Sequence, residues 1–320
     1  MWKNDYLQSS HINIPKALDK TTIWAVLCAD LHLSSTPPIW RSNEPDWWAA
    51  MARPLSQVKQ LATYFNCPIL CAGDIFDRWK ASPEIINFAI RMLPTHYYSC
   101  YAIPGQHDLP EHSLKEIERS AFQTLLLLLK IRYKTTFDFL SGWELNSFSY
   151  GEKIRGTSHS RAICMAHQYQ WIRGHSYITA HTDSLVNKRK LKELGYKVYI
   201  FGDNHCGFHI EFDGITVFNC GSLMRRRSDQ KNYRPMVGLL TDKMKVIPYY
   251  LDTSQDIHLS HLDEVDAEIE KREEIDMDLV IAHLLELGTC SVDFYKSVEQ
   301  ITQSENINAD VLSILRKAMQ

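Results

Sequence analysis

The stretch TIWAVLCADLH, from Thr22 to His32, decides the fold. The run from Thr22 to Ala29 is almost entirely apolar and rich in β-branched and aromatic side chains, which is typical of a strand buried on both faces. Asp30 and His32 follow it at once. A second buried strand, Cys67–Ala72, ends in the same way, just before Asp74. Polar residues directly after buried strands are the pattern of α/β proteins, whose ligand sites lie at the carboxyl ends of strands.

Helical patterns separate these strands. Apolar residues recur at helical spacing from Asp46 to Phe65, and Ser82 with Pro83 begins a second helix that runs to Met92. A third strand is predicted at Tyr97–Ile103. This alternation predicts an α/β layered fold. Later strands, several of them hairpin-like and therefore antiparallel or mixed, are predicted at 143–150, 161–166, 197–201, 208–212, 215–219, 236–241 and 244–250.

Charge and periodicity divide the chain. Its 320 residues are 45% hydrophobic and 23% charged, which is normal for a globular protein of one or two domains. After Asp252 the pattern becomes helical, over 262–287, 292–302 and 309–318. Residues 251–320 carry 16 acidic and 5 basic residues, a net charge of −11, whereas the preceding 250 residues carry +8. We therefore predict a basic body at 1–252 and an acidic helical segment at 253–320 that caps the body or docks a partner.

Cysteine usage and hydropathy indicate the compartment. The 8 cysteines form no CxxC pair, so we interpret them as reduced core thiols. No apolar run approaches the roughly 20 residues that a membrane span needs, and no apolar segment resembling a secretory signal begins the chain. These features predict a cytoplasmic protein with no membrane association.

Acids, imidazoles or an amide follow each of five predicted strands, at the edge of the sheet where the strands end. Taken singly, each is explained by a solvated turn, a helix cap or a satisfied core histidine. Together they are not, because buried acids and histidines are costly unless they are paired, hydrogen-bonded or bound to metal. The candidate ligands lie in the segments 30–32, 73–77, 105–108, 166–167 and 202–205.

The ligand types narrow the choice of metal. Mixed carboxylate and imidazole ligands without a thiolate suit manganese, iron, zinc or cobalt, and disfavour a calcium cage or a structural zinc site. Seven ligands are too many for one ion. Two ions about 3.5–4 Å apart that share one carboxylate would use them all, and such a pair activates water in phosphoryl transfer.

The ordered motifs resemble those of the calcineurin-like metallophosphoesterases. They are DLH (30–32), GDIFD (73–77), GQHD (105–108), AHQ (166–168) and GDNH (202–205). The resemblance spans Ile23 to Tyr250 and implies a four-layer sandwich of two mixed β-sheets flanked by helices, followed here by a helical segment. GDIFDR and NCGSLMRR (219–226) are similar to the SbcD-type nucleases of DNA repair, recombination and phages.

The resemblance implies a role for each site residue. Asp30, His32, Asp74 and His205 would hold the first cation, with Asp74 bridging, and Gln106, His167 and Asp203 would complete the second. His107 would act on the scissile phosphate, Asp108 would orient His107, and Asp77 would fix a ligand or its loop. The chain has Gln106 where the family has Asn, and Asp203 where it has His. Both changes indicate a harder second site suited to Mn²⁺, or to Mg²⁺; a weaker, exchangeable second cation is the alternative.

The leading functional prediction is a DNA exonuclease with endonuclease activity. DNA would contact Arg225, Arg226, Arg227, Trp40 and Arg41. For these residues a solvated charge run and core packing are the competing interpretations. An SbcC-like SMC ATPase, bound through the C-terminal helices, and a second copy of the chain are the implied partners. Two other functions stay open: a phosphatase or phosphodiesterase acting on nucleotides or phosphoproteins, and a non-catalytic scaffold subunit.

Overall fold

The computed structural model describes residues 12–18, 21–93, 100–175 and 182–259. Within these ranges the chain forms two β-sheets and four α-helices. The strands are β1 (Ile23–Cys28), β2 (Ile69–Cys71), β3 (Cys100–Ala102), β4 (Thr136–Leu140), β5 (Trp143–Phe148), β6 (Ala162–His167), β7 (Val198–Gly202), β8 (Phe208–Phe212), β9 (Ile215–Asn219), β10 (Met236–Thr241) and β11 (Val246–Tyr250). The helices are α1 (Trp47–Tyr64), α2 (Pro83–Met92), α3 (Ala121–Leu127) and α4 (Lys188–Leu194).

Both sheets are mixed. The first has the order β11-β10-β1-β2-β3, with β1, β2 and β3 parallel and β10 antiparallel to both of its neighbours. The second has the order β4-β5-β6-β7-β9-β8, with four parallel central strands and an antiparallel strand at each edge. The strands that precede the predicted ligands are therefore parallel within their sheets, so their carboxyl ends share an edge.

Side-chain alternation along the strands builds the layers. In β1, Leu27 faces the core between the sheets, while the next residue, Cys28, faces a second core formed with α1, α2 and α3. In β6, Met165 points into the inter-sheet core and Cys164 into a third core that includes Leu191 of α4. The order of layers is thus helices, sheet, sheet, helix. This arrangement confirms the predicted fold class of two mixed sheets flanked by helices.

The helices begin close to the predicted residues. The Asp46 side chain accepts a hydrogen bond from the backbone N–H of Ala49 (3.0 Å) and caps α1. Pro83 occupies the first turn of α2, where its fixed φ suits a helix and its missing N–H costs nothing. The Ser82 hydroxyl makes no capping hydrogen bond there, so Pro83 is the more effective start signal.

The structure differs from the sequence predictions in extent. It adds β4, α3 and α4, which the sequence patterns did not predict.

The chain divides into two compact units, Met1–Leu259 and Ser260–Gln320, so the first unit ends a few residues beyond Asp252. The three predicted C-terminal helices lie outside the described residues. Among the described helices, none combines the length and the apolar character that crossing a membrane requires.

A buried ionic cluster holds the end of the first unit against the body. The Arg41 guanidinium is fully buried and pairs with Glu44 and, at 3.1 Å, with Asp256. Arg53 pairs with the same two carboxylates, at 2.7 Å and 3.2 Å. Because charges buried this deeply are stable only when paired, the cluster fixes residues near Asp256 on the N-terminal end of α1.

This cluster corrects the prediction that Trp40 and Arg41 contact DNA. Trp40 is 7% exposed and stacks on His258, with ring centroids 5.2 Å apart, and Arg41 is 0% exposed. Neither side chain can reach a nucleic acid in this structure. Core packing, the competing interpretation of the sequence, is the one the structure supports.

We expect Glu44→Gln to lower the free energy of unfolding by about 3 kcal/mol, because it leaves two guanidinium groups short of a counter-charge in a buried site. Urea unfolding followed by circular dichroism measures the change. The matched control is Glu116→Gln, which removes an exposed ion pair with Arg119 and should leave the midpoint nearly unchanged. Equal effects for the two variants would show that the Glu44 cluster is not stabilising.

Candidate metal centre

The predicted ligands come together where the carboxyl ends of the strands meet. Asp30 and His32 follow β1, Asp74 follows β2, and His167 is the last residue of β6. Several of these residues adopt left-handed backbone conformations that non-glycine residues rarely take: φ is 52° at Asp30, 44° at His32, 53° at Asp74 and 78° at Asp203. Backbone strain of this kind clusters at functional sites, where the fold holds side chains in fixed directions.

The first group of ligand atoms belongs to Asp30, His32 and His205. One donor atom from each lies within 4.8 Å of the others, and the Nε2 atoms of His32 and His205 are 3.0 Å apart. Burial lowers the pKa of His32, and burial together with the adjacent His32 lowers the pKa of His205 well below its ordinary value. Both imidazoles are therefore neutral at physiological pH, which is the form that binds a metal.

Asp74 lies between this group and the next. Its side chain is fully buried, and its Oδ1 accepts a hydrogen bond from the backbone N–H of His107 (2.9 Å). Its Oδ2 is buried without a hydrogen-bond partner among the described residues, 3.7 Å from Nε2 of His32 and 3.4 Å from Nε2 of His167. A buried carboxylate oxygen is costly when nothing binds it. Asp74 Oδ2 therefore fits a cation ligand, and its position suits a bridge.

The second group contains Asp30, Asp74 and His167. His167 Nδ1 donates to the carbonyl of Ala72 (2.6 Å), which directs Nε2 into the centre. Burial opposes a charge on His167, but the carboxylates of Asp74 and Asp30 raise its pKa well above the ordinary value. Carboxylates this close attract positive charge, which either a proton or a divalent cation can supply.

Gln106 and Asp203 meet beside His167. Gln106 Oε1 lies 2.6 Å from His167 Nε2, and Gln106 Nε2 donates to Asp203 Oδ1 at 2.7 Å. All seven predicted ligands thus fall in one cluster, whose carboxylates, imidazoles and amide oxygen suit divalent cations. The Asp203 carboxylate, however, is directed at the amide of Gln106.

His107 lies beside the first group. Its ring centroid is 5.0 Å from that of His32, and its Nδ1 donates to the carbonyl of Asp77 (3.0 Å). This hydrogen bond fixes the ring and leaves Nε2 as the atom that can hold or release a second proton. One donor atom of His107 also falls within 4.8 Å of atoms of His32 and Asp74, so His107 can reach whatever these residues bind.

The structure corrects the role predicted for Asp108. Its buried carboxylate accepts hydrogen bonds from the backbone N–H groups of Ile75 (3.2 Å), Phe76 (2.9 Å) and Gly105 (3.1 Å). Burial raises the pKa of Asp108 to about 7. Its hydrogen bonds hold the loops after β2 and β3 together, whereas the imidazole of His107 is oriented by Asp77. Asp108 is therefore a structural residue of the centre.

Asp77 and the arginines after β9 form one side of the centre. Arg226 Nη1 donates to Asp77 Oδ1 (2.6 Å), and the same oxygen lies 3.5 Å from Nδ1 of His32. The Asp77 carboxylate thus lies beside the His32 ring, and the Asp77 carbonyl accepts a hydrogen bond from His107. The Arg225 side chain lies 3.6 Å from Asp256, while the Arg227 side chain is 61% exposed. Of the three arginines, Arg227 is the most accessible to a ligand.

Two asparagines that the sequence analysis did not single out support the loop that carries His205. Buried Asn204 donates to the carbonyls of Gln170 (2.8 Å) and His175 (3.0 Å). Buried Asn219 donates to the carbonyl of Asn204 (2.6 Å). Both lie inside quoted motifs, but an asparagine at a strand end resembles an ordinary turn residue, so the sequence carried no separate signal for them.

Glycines allow the loops to approach each other. A Cβ on Gly73 would lie 2.1 Å from His167 Nδ1, and one on Gly105 would lie 2.1 Å from Asp74 Oδ1. A Cβ on Gly202 would lie 2.3 Å from the carbonyl of Ala72. These distances are far below van der Waals contact, so only glycine permits the observed positions of Asp74 and His167.

We expect Gly105→Ala to weaken cation binding at least about tenfold, because the new methyl group displaces the Asp74 carboxylate. Isothermal titration with Mn²⁺ measures the affinity. Gly156→Ala is the control, since its Cβ would meet only ordinary contacts, the nearest at 3.5 Å. Unchanged Mn²⁺ affinity in Gly105→Ala would mean that Asp74 does not bind the cation.

Comparison with known proteins agrees with this geometry. A family model described as calcineurin-like phosphoesterase matches residues 23–207, a range that contains all five motifs. Among solved structures, the protein TT1561 of Thermus thermophilus is 13% identical with a TM-score of 0.45, and the match covers 72% of this chain and 100% of that chain. An archaeal phosphodiesterase is 13% identical with a TM-score of 0.39, and the match covers 71% of this chain and 99% of that chain.

A putative 5′-nucleotidase from Staphylococcus aureus is 12% identical with a TM-score of 0.41, and the match covers 77% of this chain and 58% of that chain. The comparison with curated proteins gives no match. The family model spans more than half of the chain and every motif that contributes to the centre. The chain therefore belongs to the calcineurin-like phosphoesterases, a family of metal-dependent phosphoester hydrolases.

Proposed function

We propose that this protein is a metal-dependent DNA nuclease of the SbcD type, an exonuclease with endonuclease activity. The observation that carries the hydrolytic part is the convergence of buried acids and imidazoles on Asp74, whose Oδ2 has no hydrogen-bond partner among the described residues. When bound, two divalent cations, Mn²⁺ or Mg²⁺, supply Lewis-acid polarisation of a phosphodiester and activation of water. They would be held by Asp30, His32, His205 and Asp74 at one position and by Asp74, His167 and Gln106 at the other.

His107 supplies the proton chemistry in this proposal. Its Nδ1 is committed to the carbonyl of Asp77, so a proton delivered to the leaving oxygen comes from Nε2. The ring is half-buried and held on one side, which limits its motion relative to the ligands. Catalysis by a positioned acid of this kind typically contributes about 10²–10⁴-fold.

Charge favours a nucleic acid as the substrate over a small phosphoester. The first 250 residues carry a net charge of +8, and the loop with Arg225, Arg226 and Arg227 is bonded directly to the centre. In this loop Ser222 N–H donates to the His205 carbonyl (3.2 Å) and Leu223 N–H to the Asp30 carbonyl (3.3 Å). Exposed Arg227, near the end of this loop, is suited to neutralise a backbone phosphate.

The partner assignments also belong to this proposal. An SMC-like ATPase would bind the acidic helical segment, whose predicted helices lie outside the described residues, and a second copy of the chain would form a homodimer. Co-purification and light scattering with an SbcC-like subunit test the first. Sedimentation of the chain alone tests the second.

We expect His107→Asn to reduce Mn²⁺-dependent hydrolysis of linear DNA by about 10²–10⁴-fold while Mn²⁺ affinity stays unchanged. Gel assays with single-stranded and duplex ends, run beside a panel of nucleotides and aryl phosphates, measure rate and substrate class together. His159→Asn, which alters an exposed histidine, is the control. Full activity in His107→Asn would exclude the proposed proton donor, and turnover restricted to small phosphoesters would exclude the nuclease.

We expect Arg227→Gln to weaken DNA binding and to reduce the slope of log affinity against log salt by about 1, because one phosphate contact is lost. Fluorescence anisotropy with labelled DNA at several salt concentrations measures both. Arg189→Gln on α4 removes an exposed cation that pairs with Glu193 and should change neither. Identical slopes for wild type and Arg227→Gln would remove Arg227 from the DNA-binding surface.

A further inference from the structure

Gln106 and Asp203 form a hydrogen-bonded pair at the second cation position. We propose that Asp203 is a positioning residue that holds Gln106, and that the second cation binds Gln106 Oε1, His167 Nε2 and Asp74 Oδ2 without a bond to Asp203. The inference rests on the metal centre of the proposed function and is independent of the nucleic-acid substrate.

One carboxylate oxygen and the backbone N–H of Asp203 already have hydrogen-bond partners. Its Oδ1 accepts from Gln106 Nε2 (2.7 Å), and its backbone N–H donates to both carboxylate oxygens of Asp30 (3.2 Å and 3.1 Å). Within the described part of the chain, Asp203 belongs to no set of three histidine, cysteine or acidic side chains whose ligand atoms lie within 4.8 Å of one another. Its carboxylate is therefore directed at an amide, while its backbone steadies a ligand of the first cation.

The carboxylate also decides which way the Gln106 amide faces. A carboxylate only accepts hydrogen bonds, so the NH₂ group must point to Asp203 and the carbonyl oxygen must point away from it. That oxygen lies 2.6 Å from His167 Nε2. Without Asp203 the amide could rotate and present its NH₂ group to the centre, where it would repel a cation.

The other two ligand atoms are equally fixed. His167 donates from Nδ1 to the Ala72 carbonyl, which selects the tautomer whose Nε2 can bind metal. Asp74 Oδ2 lies 3.4 Å from that nitrogen and is otherwise unbonded within the described residues. His167 Nε2 thus lies close to two oxygens, that of the Gln106 amide at 2.6 Å and that of the Asp74 carboxylate at 3.4 Å.

This ligand set predicts the chemistry of the second cation. Two oxygens, one of them from a neutral amide, and one imidazole suit a hard cation such as Mn²⁺ or Mg²⁺ better than a soft one. The first position offers two imidazoles and two carboxylates and therefore binds more tightly. We infer that the two positions fill in sequence, with the Gln106 position second.

The test measures Mn²⁺ binding to the full chain by isothermal titration, with the free Mn²⁺ in each mixture quantified by its electron paramagnetic resonance signal. Asp203→Asn keeps an oxygen that accepts from Gln106, and Asp203→Gly removes it; both residues tolerate the left-handed φ of 78°. We expect the second affinity to stay within about threefold in Asp203→Asn and to fall about 10–100-fold in Asp203→Gly, with the first affinity unchanged in both.

Removal of the amide provides an independent check. Gln106→Leu deletes the proposed ligand oxygen and keeps a side chain of similar size, and it should abolish the second binding event while the first affinity stays unchanged. Asp213→Asn, which alters an exposed aspartate that pairs with Lys192, is the control for a surface charge.

Three results would overturn the proposal. One is an equal loss in Asp203→Asn and Asp203→Gly, which would mean that the charged carboxylate itself binds the cation. The second is a second binding event that keeps its affinity in Gln106→Leu. The third is a wild-type chain that binds a single Mn²⁺. A chain that shows the expected binding pattern but hydrolyses no DNA would refute the nuclease proposal and leave this one standing.

Discussion

The buried carboxylate of Asp74 is the constraint on which the centre depends. A charge with no access to water must be matched by hydrogen bonds or by positive charge. One of its oxygens is satisfied by the N–H of His107, and the other faces His32 and His167. The glycine at 105 leaves room for the carboxylate, and Asp108 ties the loop that carries His107 to the loop that carries Asp74. Together these neighbours form a frame that suits bound cations.

The sequence predicted the centre because strand topology leaves few alternatives. Polar residues that directly follow buried parallel strands, such as Asp30 and Asp74, lie at the same edge of a sheet. Their positions at the strand ends therefore predicted that they lie close together. The same logic located His167 after β6. The alternation of strands and helices early in the chain and the hairpin-like strands late in it predicted an α/β fold with antiparallel or mixed pairing, while the two-sheet sandwich was implied by the family resemblance.

What the sequence did not predict depends on distant contacts or on local backbone geometry. The sequence around Arg41 is rich in tryptophan, which is compatible either with a DNA contact or with a buried ion pair. Asp256, the ion-pair partner of Arg41, is 215 residues away in the sequence. Asp108 follows His107 directly, yet the turn between β3 and the next loop directs its carboxylate to backbone N–H groups. The short helix α4 has only two apolar residues among its seven, so tertiary packing rather than periodicity forms it. Strand β4 has three apolar residues among its five, but the run is too short to establish a period on its own.

The position of β1 in the first sheet has a consequence for how the molecule opens. β1 pairs with β10 between Ile23 and Leu27 and with β2 between Val26 and Cys28, while β11 and β3 form the edges. Edge strands fray first in native-state fluctuations, and amide protons of central strands exchange only in larger openings. The two ligands that follow β1 are therefore anchored in the slowest-exchanging part of their sheet, whereas Gln106 and His107 follow the edge strand β3 and lose their positions first when that edge opens.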